Sequence, residues 1–176
     1  MDNAPLDLIG KLMITRELAF GDGKIDLFGL RMVLPPARFF SEYIRLSNNS
    51  AQSAALLYEA ARVSFREGIV KRAGAKFSFG VNDFFKWLPG IGSMAGWGRI
   101  TIVELFAEKQ YGMVRVENSP VVADLRGKIR GPVDHALAGF MCGGAEAVLQ
   151  TQMRCIEEEC AVDGASMCRF VFRADK

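Results

Sequence analysis

The hydrophobic positions of the N-terminal quarter form two runs that favour strands. Residues 10–19 and 24–34 are rich in β-branched and large apolar side chains. Gly21-Asp22-Gly23 lies between the two runs and is typical of a tight turn. The pattern predicts a β-hairpin at this end of the chain, although the first run also fits a short helix.

Apolar residues then recur at helical spacing. Pro35-Pro36 predicts a helix start, because proline lacks the N–H group that would have no partner in a first turn. Asn48-Asn49-Ser50 ends this helix and begins the next, which the apolar spacing extends over residues 51–71. Its alanines are small, so another helix can approach it closely.

An aromatic segment follows at residues 77–98. Pro89 and Gly90 are predicted to break or end a helix there. Six aromatic side chains close together, with helix breakers among them, favour the wall or lid of an apolar pocket over plain core, although core remains an alternative for most of them. The residues that we predict to contact a ligand are Phe79, Phe84, Trp87 and Trp97.

The C-terminal half predicts two strand pairs around one helix. Residues 100–108 and 112–117 read as strands, Pro132 is expected to open a helix of small residues, and residues 151–162 and 167–173 form a last hairpin. Helices and antiparallel strand pairs are segregated rather than alternating, which favours an α+β fold in which an antiparallel sheet packs against helices. We expect one domain over residues 1–176.

Composition excludes several classes of protein. A chain of 176 residues with a net charge of +2 has room for a sizeable core and offers little attraction for nucleic acid. The first ten residues do not resemble a signal peptide, and no apolar run reaches the roughly 18 residues of a membrane span. We therefore expect a cytoplasmic protein whose cysteines are reduced thiols or metal ligands.

The four cysteines and the single histidine all lie between residues 132 and 172. Cys160 and Cys168 flank an Asp-Gly turn, and Glu157 precedes Cys160 by three residues, which is a spacing typical of metal sites. Zinc takes four ligands from Cys, His and carboxylate side chains, and Asp134 and His135 are the candidates for the fourth. The alternative is that the two cysteines are small buried hydrophobes and Asp134 is an acid in a first helical turn.

The strand pattern conflicts with this ligand set. Side chains alternate along a regular strand, so Glu158 rather than Glu157 would share a face with Cys160. A bulge or a turn is needed to bring Glu157 to the cysteines.

A longer pattern of residues surrounds these ligands. It consists of Pro132-Val133, Gly139-Phe140, Gly143, Glu157, Cys160, Gly164 and Cys168-Arg169-Phe170, with Tyr58 to Arg62 and Val116 to Ser119 upstream. The pattern resembles the 4-vinyl reductase domain family, in particular its stand-alone archaeal members, and the family also includes sensor domains of phenol- and xylene-responsive activators. The resemblance implies a fold shared with TRAPP vesicle-tethering subunits and haem-type nitric-oxide sensors, a homodimer, a zinc site and an enclosed apolar pocket for a small hydrophobic ligand.

Carried over to this chain, the family's zinc ligands fall on Glu157, Cys160 and Cys168, while Asp134 stands where the family has a cysteine. Two thiolates and two carboxylates should bind zinc more weakly than a thiolate-rich set, and the neighbouring His135 is an alternative fourth ligand. The phenol-sensing members carry a histidine after the strand that ends near residue 119, and residues 119–125 contain none, which argues against phenol as the ligand.

These features favour a small-molecule binding or sensor domain with a structural zinc-type site. The alternative is an interaction or scaffold protein that resembles the tethering subunits and acts through its dimer surface. The small-residue helices at 51–61 and 136–145 would be dimer faces, or simply sites of tight internal packing. An enzyme is disfavoured, because we find no nicotinamide or flavin fingerprint and no acid–base pair.

Overall fold

The computed structural model describes residues 4–77 and 80–175. The first half contains α1 (Ala4–Ile14), β1 (Leu18–Gly21), β2 (Lys24–Leu27), β3 (Leu30–Met32), α2 (Ala37–Leu46), α3 (Ala51–Ser64), a π-helical segment (Phe65–Val70), α4 (Lys71–Phe77) and α5 (Val81–Met94). The second half contains β4 (Arg99–Phe106), β5 (Tyr111–Glu117), α6 (Pro120–Leu125), α7 (His135–Leu149), β6 (Met153–Glu159) and β7 (Cys168–Ala174).

The main sheet has four antiparallel strands in the order β4-β5-β7-β6. Helix α5 packs against β4, α7 packs against β6 and β7, and α3 packs against α7. Alternate residues such as Val114 and Phe170 are fully buried beneath the helices, while Arg115 and Arg173 are exposed. The predicted α+β class with an antiparallel sheet is therefore confirmed.

The N-terminal hairpin is shorter than predicted. Residues 10–14 belong to α1, because Leu8 and Leu12 lie one helical turn apart and both pack into the core. The second run is interrupted at Phe28-Gly29, where both residues have positive φ, and the chain turns back to form β3. Strands β1, β2 and β3 make a three-stranded antiparallel meander, separate from the main sheet.

The predicted helix break at Pro89 and Gly90 is wrong. Helix α5 runs through both residues to Met94, because its buried side chains Leu88 and Ile91 hold it between α1 and β4. Proline inside a helix costs about 3 kcal/mol, and burial of an apolar face on this scale offsets that cost.

The predicted start of α7 is also displaced. The helix begins at His135 with Asp134 as its N-cap residue, three positions after Pro132. Its glycines serve internal packing, because a Cβ atom at Gly139 or Gly143 would overlap the backbone carbonyls of α3. None of the helices within the described ranges has the length and apolar character that crossing a bilayer requires.

Candidate metal centre

Three side chains converge at the tip of the last hairpin. The potential ligand atoms of Glu157, Cys160 and Cys168 lie within 4.8 Å of one another, and all three residues are buried. The two sulfur atoms are 3.9 Å apart. A 3₁₀ turn (Ala161–Asp163) reverses the chain between the strands and ends at Gly164, whose φ of 102° suits glycine. The turn therefore brings both thiols to the same side of the hairpin.

A β-bulge in β6 brings Cys160 to the face that carries Glu157. Glu157 pairs with Phe170 and Glu159 pairs with Arg169, so that Glu158 is an extra residue in the ladder. Glu157 faces the core by regular alternation with Met153 and Cys155, and the extra residue turns Cys160 to the same face, while Glu158 and Glu159 are exposed. The bulge that the ligand spacing required is present, and it resolves the conflict with regular alternation.

One carboxylate oxygen of Glu157 anchors the segment before α7. Its Oε2 atom accepts hydrogen bonds from the backbone N–H groups of Val133 and Asp134, both at 2.9 Å. Its Oε1 atom is buried and has no hydrogen-bond partner within the described residues. One oxygen is thus committed to the backbone, and the other is available to a cation.

The carboxyl group of Asp134 is fully buried beside Glu157. Neither of its oxygens accepts a hydrogen bond from the part of the chain that the structure describes. Burial and the negative charge of Glu157 raise the pKa of Asp134 to about 7, with Ser119 acting in the opposite direction. Asp134 does not belong to the three-residue cluster itself. Two adjacent buried carboxylates without a counter-charge are unfavourable, and a divalent cation would supply that charge.

The thiols share this environment. A hydrogen bond to Cys160, burial and the charge of Glu157 all raise the pKa of Cys168, and the backbone N–H of Ala161 donates to its sulfur at 3.3 Å. The two sulfur atoms and the free oxygen of Glu157 form a donor set that suits zinc, which accepts both kinds of ligand, and Asp134 lies beside it. The chemistry of the site therefore fits a divalent metal.

The histidine and the two remaining cysteines of this region make other contacts. His135 places its Nε2 atom 2.7 Å from the Oδ1 atom of Asn49, and burial lowers its pKa. Cys142 donates to the carbonyl of Met153, and burial raises its pKa to about 11. Cys155 is buried too, and burial raises its pKa well above the usual value. Asn49 and the N–H group of Val133 were not identified from the sequence, since only the folded chain brings them to the site.

An apolar cavity lies on the other side of α7, with a volume of about 340 Å³. Arg31 contributes to its outline, but Arg31 and Asp26 form a cross-strand pair on the face of the meander opposite Leu27 and Leu30. The wall is therefore almost entirely apolar in its side chains. The lining residues are Leu27, Leu30, Arg31, Met32, Val33, Ser64, Phe65, Ile69, Leu88, Ile91, Gly92, Met94, Ala95, Trp97, Ile100, Leu137, Phe140 and Met141.

The aromatic residues predicted to contact a ligand occupy different places. Trp97 is in the cavity wall. Phe84 is a fully buried core residue that packs against Phe85, with ring centroids 5.2 Å apart. Trp87 is partly buried and packs against the core, 5.9 Å from the ring of Phe28, and neither residue belongs to the cavity wall. Phe79 lies outside the described residues.

Solved structures with the same fold were found by comparison, whereas no family model and no curated protein matches the chain. The phenol-responsive sensory domain of the transcription activator PoxR, with phenol, has a TM-score of 0.76 at 20% identity and covers 99% of this chain and 92% of that one. Subunit 3 of the trafficking protein particle complex from Naegleria fowleri, covalently bound to palmitic acid, has a TM-score of 0.55 at 9% identity and covers 80% and 93%.

A vinyl-4-reductase family protein from Methanocaldococcus jannaschii has a TM-score of 0.53 at 17% identity and covers 82% of this chain and 85% of that one. The fold implied by the sequence resemblance is therefore confirmed. At these identities the likeness establishes the fold alone.

Glu157 and Glu158 lie on opposite faces of β6, which hydrogen exchange can test without any metal. In protein treated with EDTA, Glu157→Ala should accelerate exchange of the Val133 and Asp134 amides by roughly ten- to a hundredfold, because a hydrogen bond to a charged acceptor is worth about 1.5–3 kcal/mol. The matched variant Glu158→Ala should leave both rates unchanged. Equal effects of the two substitutions would contradict the inward contact of Glu157 with these amides.

Proposed function

We propose that the chain is a small-molecule binding or sensor domain that holds a hydrophobic ligand in the apolar cavity. The observation that carries this proposal is the cavity itself. Its volume of about 340 Å³ falls within the range of roughly 300–1,000 Å³ that is usual for ligand pockets. An apolar wall of this kind favours a ligand with few polar groups, because each buried polar group without a partner costs free energy.

The composition of the wall supports an adaptable site. Met32, Met94 and Met141 line it from three different elements, and the unbranched methionine side chain adjusts to ligands of different shape. The π-helical segment contributes Phe65 and Ile69, and π-helical turns are frequent at functional sites. The cavity thus lies where β3, α5, α7 and an irregular helix meet.

Two proteins of the same fold lend support. One was crystallised with phenol and is a sensory domain, and the other carries covalently bound palmitic acid. The fold can therefore accommodate apolar molecules of different size. The ligand of this chain is expected to be specific to it, because its cavity wall is almost entirely apolar, with Arg31 as a charged residue at its outline.

We further propose that Glu157, Cys160 and Cys168 bind zinc, with Asp134 as the fourth ligand. The unpartnered oxygens of Glu157 and Asp134 support this assignment. We choose Asp134 over His135 because both Asp134 oxygens are buried without a partner, whereas the Nε2 atom of His135 already pairs with Asn49. With four protein ligands and no open position, the ion would have a structural role, joining the hairpin to the start of α7.

Ligand binding can be followed through one tryptophan. The chain has two, so Trp87→Phe leaves Trp97 in the cavity wall as the only indole. We expect iodobenzene, an uncharged apolar heavy-atom quencher, to quench Trp97 saturably. Adding Ile69→Phe should weaken the apparent affinity roughly tenfold, because it fills space that several ligand carbons would otherwise bury.

The control for this experiment is Leu56→Phe, which adds the same ring on the exposed face of α3. It should leave the affinity unchanged. Quenching that rises linearly with iodobenzene, or that is the same in the Ile69→Phe protein, would exclude the cavity as a ligand site.

The proposed zinc site predicts that bound metal and thermal stability are lost together. Zinc should be present at about one ion per chain by elemental analysis, and Cys160→Ser should remove it and lower the melting temperature together, because metal-binding energy in such a site is folding energy. Cys142→Ser, which alters a thiol outside the cluster, should retain zinc. Wild-type protein without metal, and with the stability of the Cys160→Ser protein, would refute the assignment.

A second candidate function is that of an interaction protein that acts as a homodimer. Exposed apolar side chains support it. Phe39, Tyr43 and Leu46 recur on the outer face of α2, and Leu56 and Val63 on that of α3. Such stripes are typical of surfaces that another protein covers. The helix at 136–145 is no longer a candidate face, because it is buried against α3.

Light scattering tests this second function. A dimer should have twice the chain mass of 19.4 kDa. We expect the double substitution Leu56→Glu, Val63→Glu to yield a monomer, because it places charges in the centre of an apolar contact. Phe106→Glu, at an equally exposed apolar position on β4, should not change the mass. A wild-type monomer would remove this function and leave ligand binding unaffected.

A further inference from the structure

Asn49 contacts the segment before α7 although it is more than 80 residues away in sequence. It lies in the turn between α2 and α3. Its side-chain amide donates from Nδ2 to the carbonyl of Pro132 at 3.0 Å, and its Oδ1 atom is 2.7 Å from Nε2 of His135. One side chain therefore binds both ends of the segment that contains Asp134.

The two hydrogen bonds determine each other's direction. The Pro132 carbonyl can only accept, so it faces the NH₂ group of Asn49 and leaves Oδ1 facing the histidine. An amide oxygen cannot donate, so Nε2 of His135 carries the hydrogen of this bond. The amide thus fixes both the backbone position of Pro132 and the tautomer of His135.

Glu157 binds the middle of the same segment. The N–H groups of Val133 and Asp134, which lie between the two residues that Asn49 binds, both donate to Oε2 of Glu157. The backbone of Asp134 is therefore fixed on both sides. Its carboxyl group is fully buried, and neither of its oxygens has a hydrogen-bond partner in the described residues.

The backbone conformation of the turn does not by itself explain why residue 49 is an asparagine. Asn48 and Asn49 both have positive φ, at 51° and 49°, and asparagine is among the residues that adopt this region most readily. The side chain of Asn48, however, makes no hydrogen bond within the described ranges, whereas that of Asn49 makes two. The neighbouring asparagines share a backbone conformation and differ in their contacts.

We infer that Asn49 is a positioning residue of the metal centre, holding the Pro132–His135 segment so that Asp134 completes the ligand set. This inference rests on the proposed zinc site. Outer partners that orient metal ligands typically contribute a factor of about 10–100 to metal affinity. Asn49 would do so by holding the residues on either side of Asp134, and not by contacting the Asp134 carboxyl group.

Substitution by glycine provides a matched pair of variants, because glycine adopts positive φ without strain and removes only the side chain. Zinc affinity would be measured for Asn49→Gly and Asn48→Gly by competition with a chromophoric chelator. Unfolding by urea in EDTA would report the stability of the metal-free proteins. We expect Asn49→Gly to bind zinc about 10–100 times more weakly, with a much smaller change in metal-free stability, and Asn48→Gly to bind as the wild type does.

A spectroscopic measurement separates positioning from a general loss of structure. His135 is the only histidine of the chain, so its long-range ¹H–¹⁵N correlations are assigned without ambiguity. The wild type should show the Nε2–H tautomer, and Asn49→Gly should show a mixture. The Co²⁺-substituted protein should also change its visible spectrum in Asn49→Gly alone.

The outcomes distinguish this inference from the function on which it depends. Wild-type zinc affinity in Asn49→Gly, or an equal decrease in both variants, would overturn the role of Asn49 and leave the zinc site standing. Absence of zinc binding by the wild-type protein would overturn both.

Discussion

The fold around the hairpin depends on a single buried carboxylate accepting two backbone hydrogen bonds. Glu157 lies on β6, and its donors precede α7, so this contact joins the edge of the sheet to the helix that covers it. An acidic side chain in the core is stable only when its charge meets suitable donors, and the N-terminal end of a helix provides them. The bulge in β6, the start of α7 and the convergence of the two thiols are all compatible with this one contact.

Buried acidic side chains lie near both ends of helix α7, and their surroundings differ. Glu146, near the C-terminal end, receives the guanidinium groups of Arg62 and Arg66 at 2.7 and 3.0 Å and the N–H of Met153 at 3.1 Å. Its charge is therefore compensated. At the other end, Glu157 and Asp134 have no basic partner within the described residues. Arginine thus compensates the charge of Glu146, whereas the surroundings of Glu157 and Asp134 would suit a metal ion.

Sequence patterns predicted the elements that depend on local alternation and missed those that depend on packing. The strands of the main sheet and the last hairpin follow from apolar periodicity and turn residues. The sequence predicts a helix break at Pro89 because the cost of proline is local, whereas the burial that offsets this cost comes from α1 and β4. The choice between Glu157 and Glu158 likewise required a bulge, which the spacing could demand but not locate. The aromatic segment is apolar as expected, yet only the tertiary structure separates Trp97 in the cavity wall from Phe84 in the core.

The bulge in β6 lets one strand serve two requirements that regular alternation cannot meet together. Met153, Cys155 and Glu157 face the core at alternate positions, and without an extra residue Cys160 would face the opposite side. A one-residue slip would place Glu158 on the face of the cysteine, but it would also turn Met153 and Cys155 towards solvent. Exposure of these apolar side chains is unfavourable, so the packing of the core fixes the register of the strand. The bulge absorbs the one-residue mismatch between the core and the thiols, and it does so at the point where the carboxylate and the cysteine must meet.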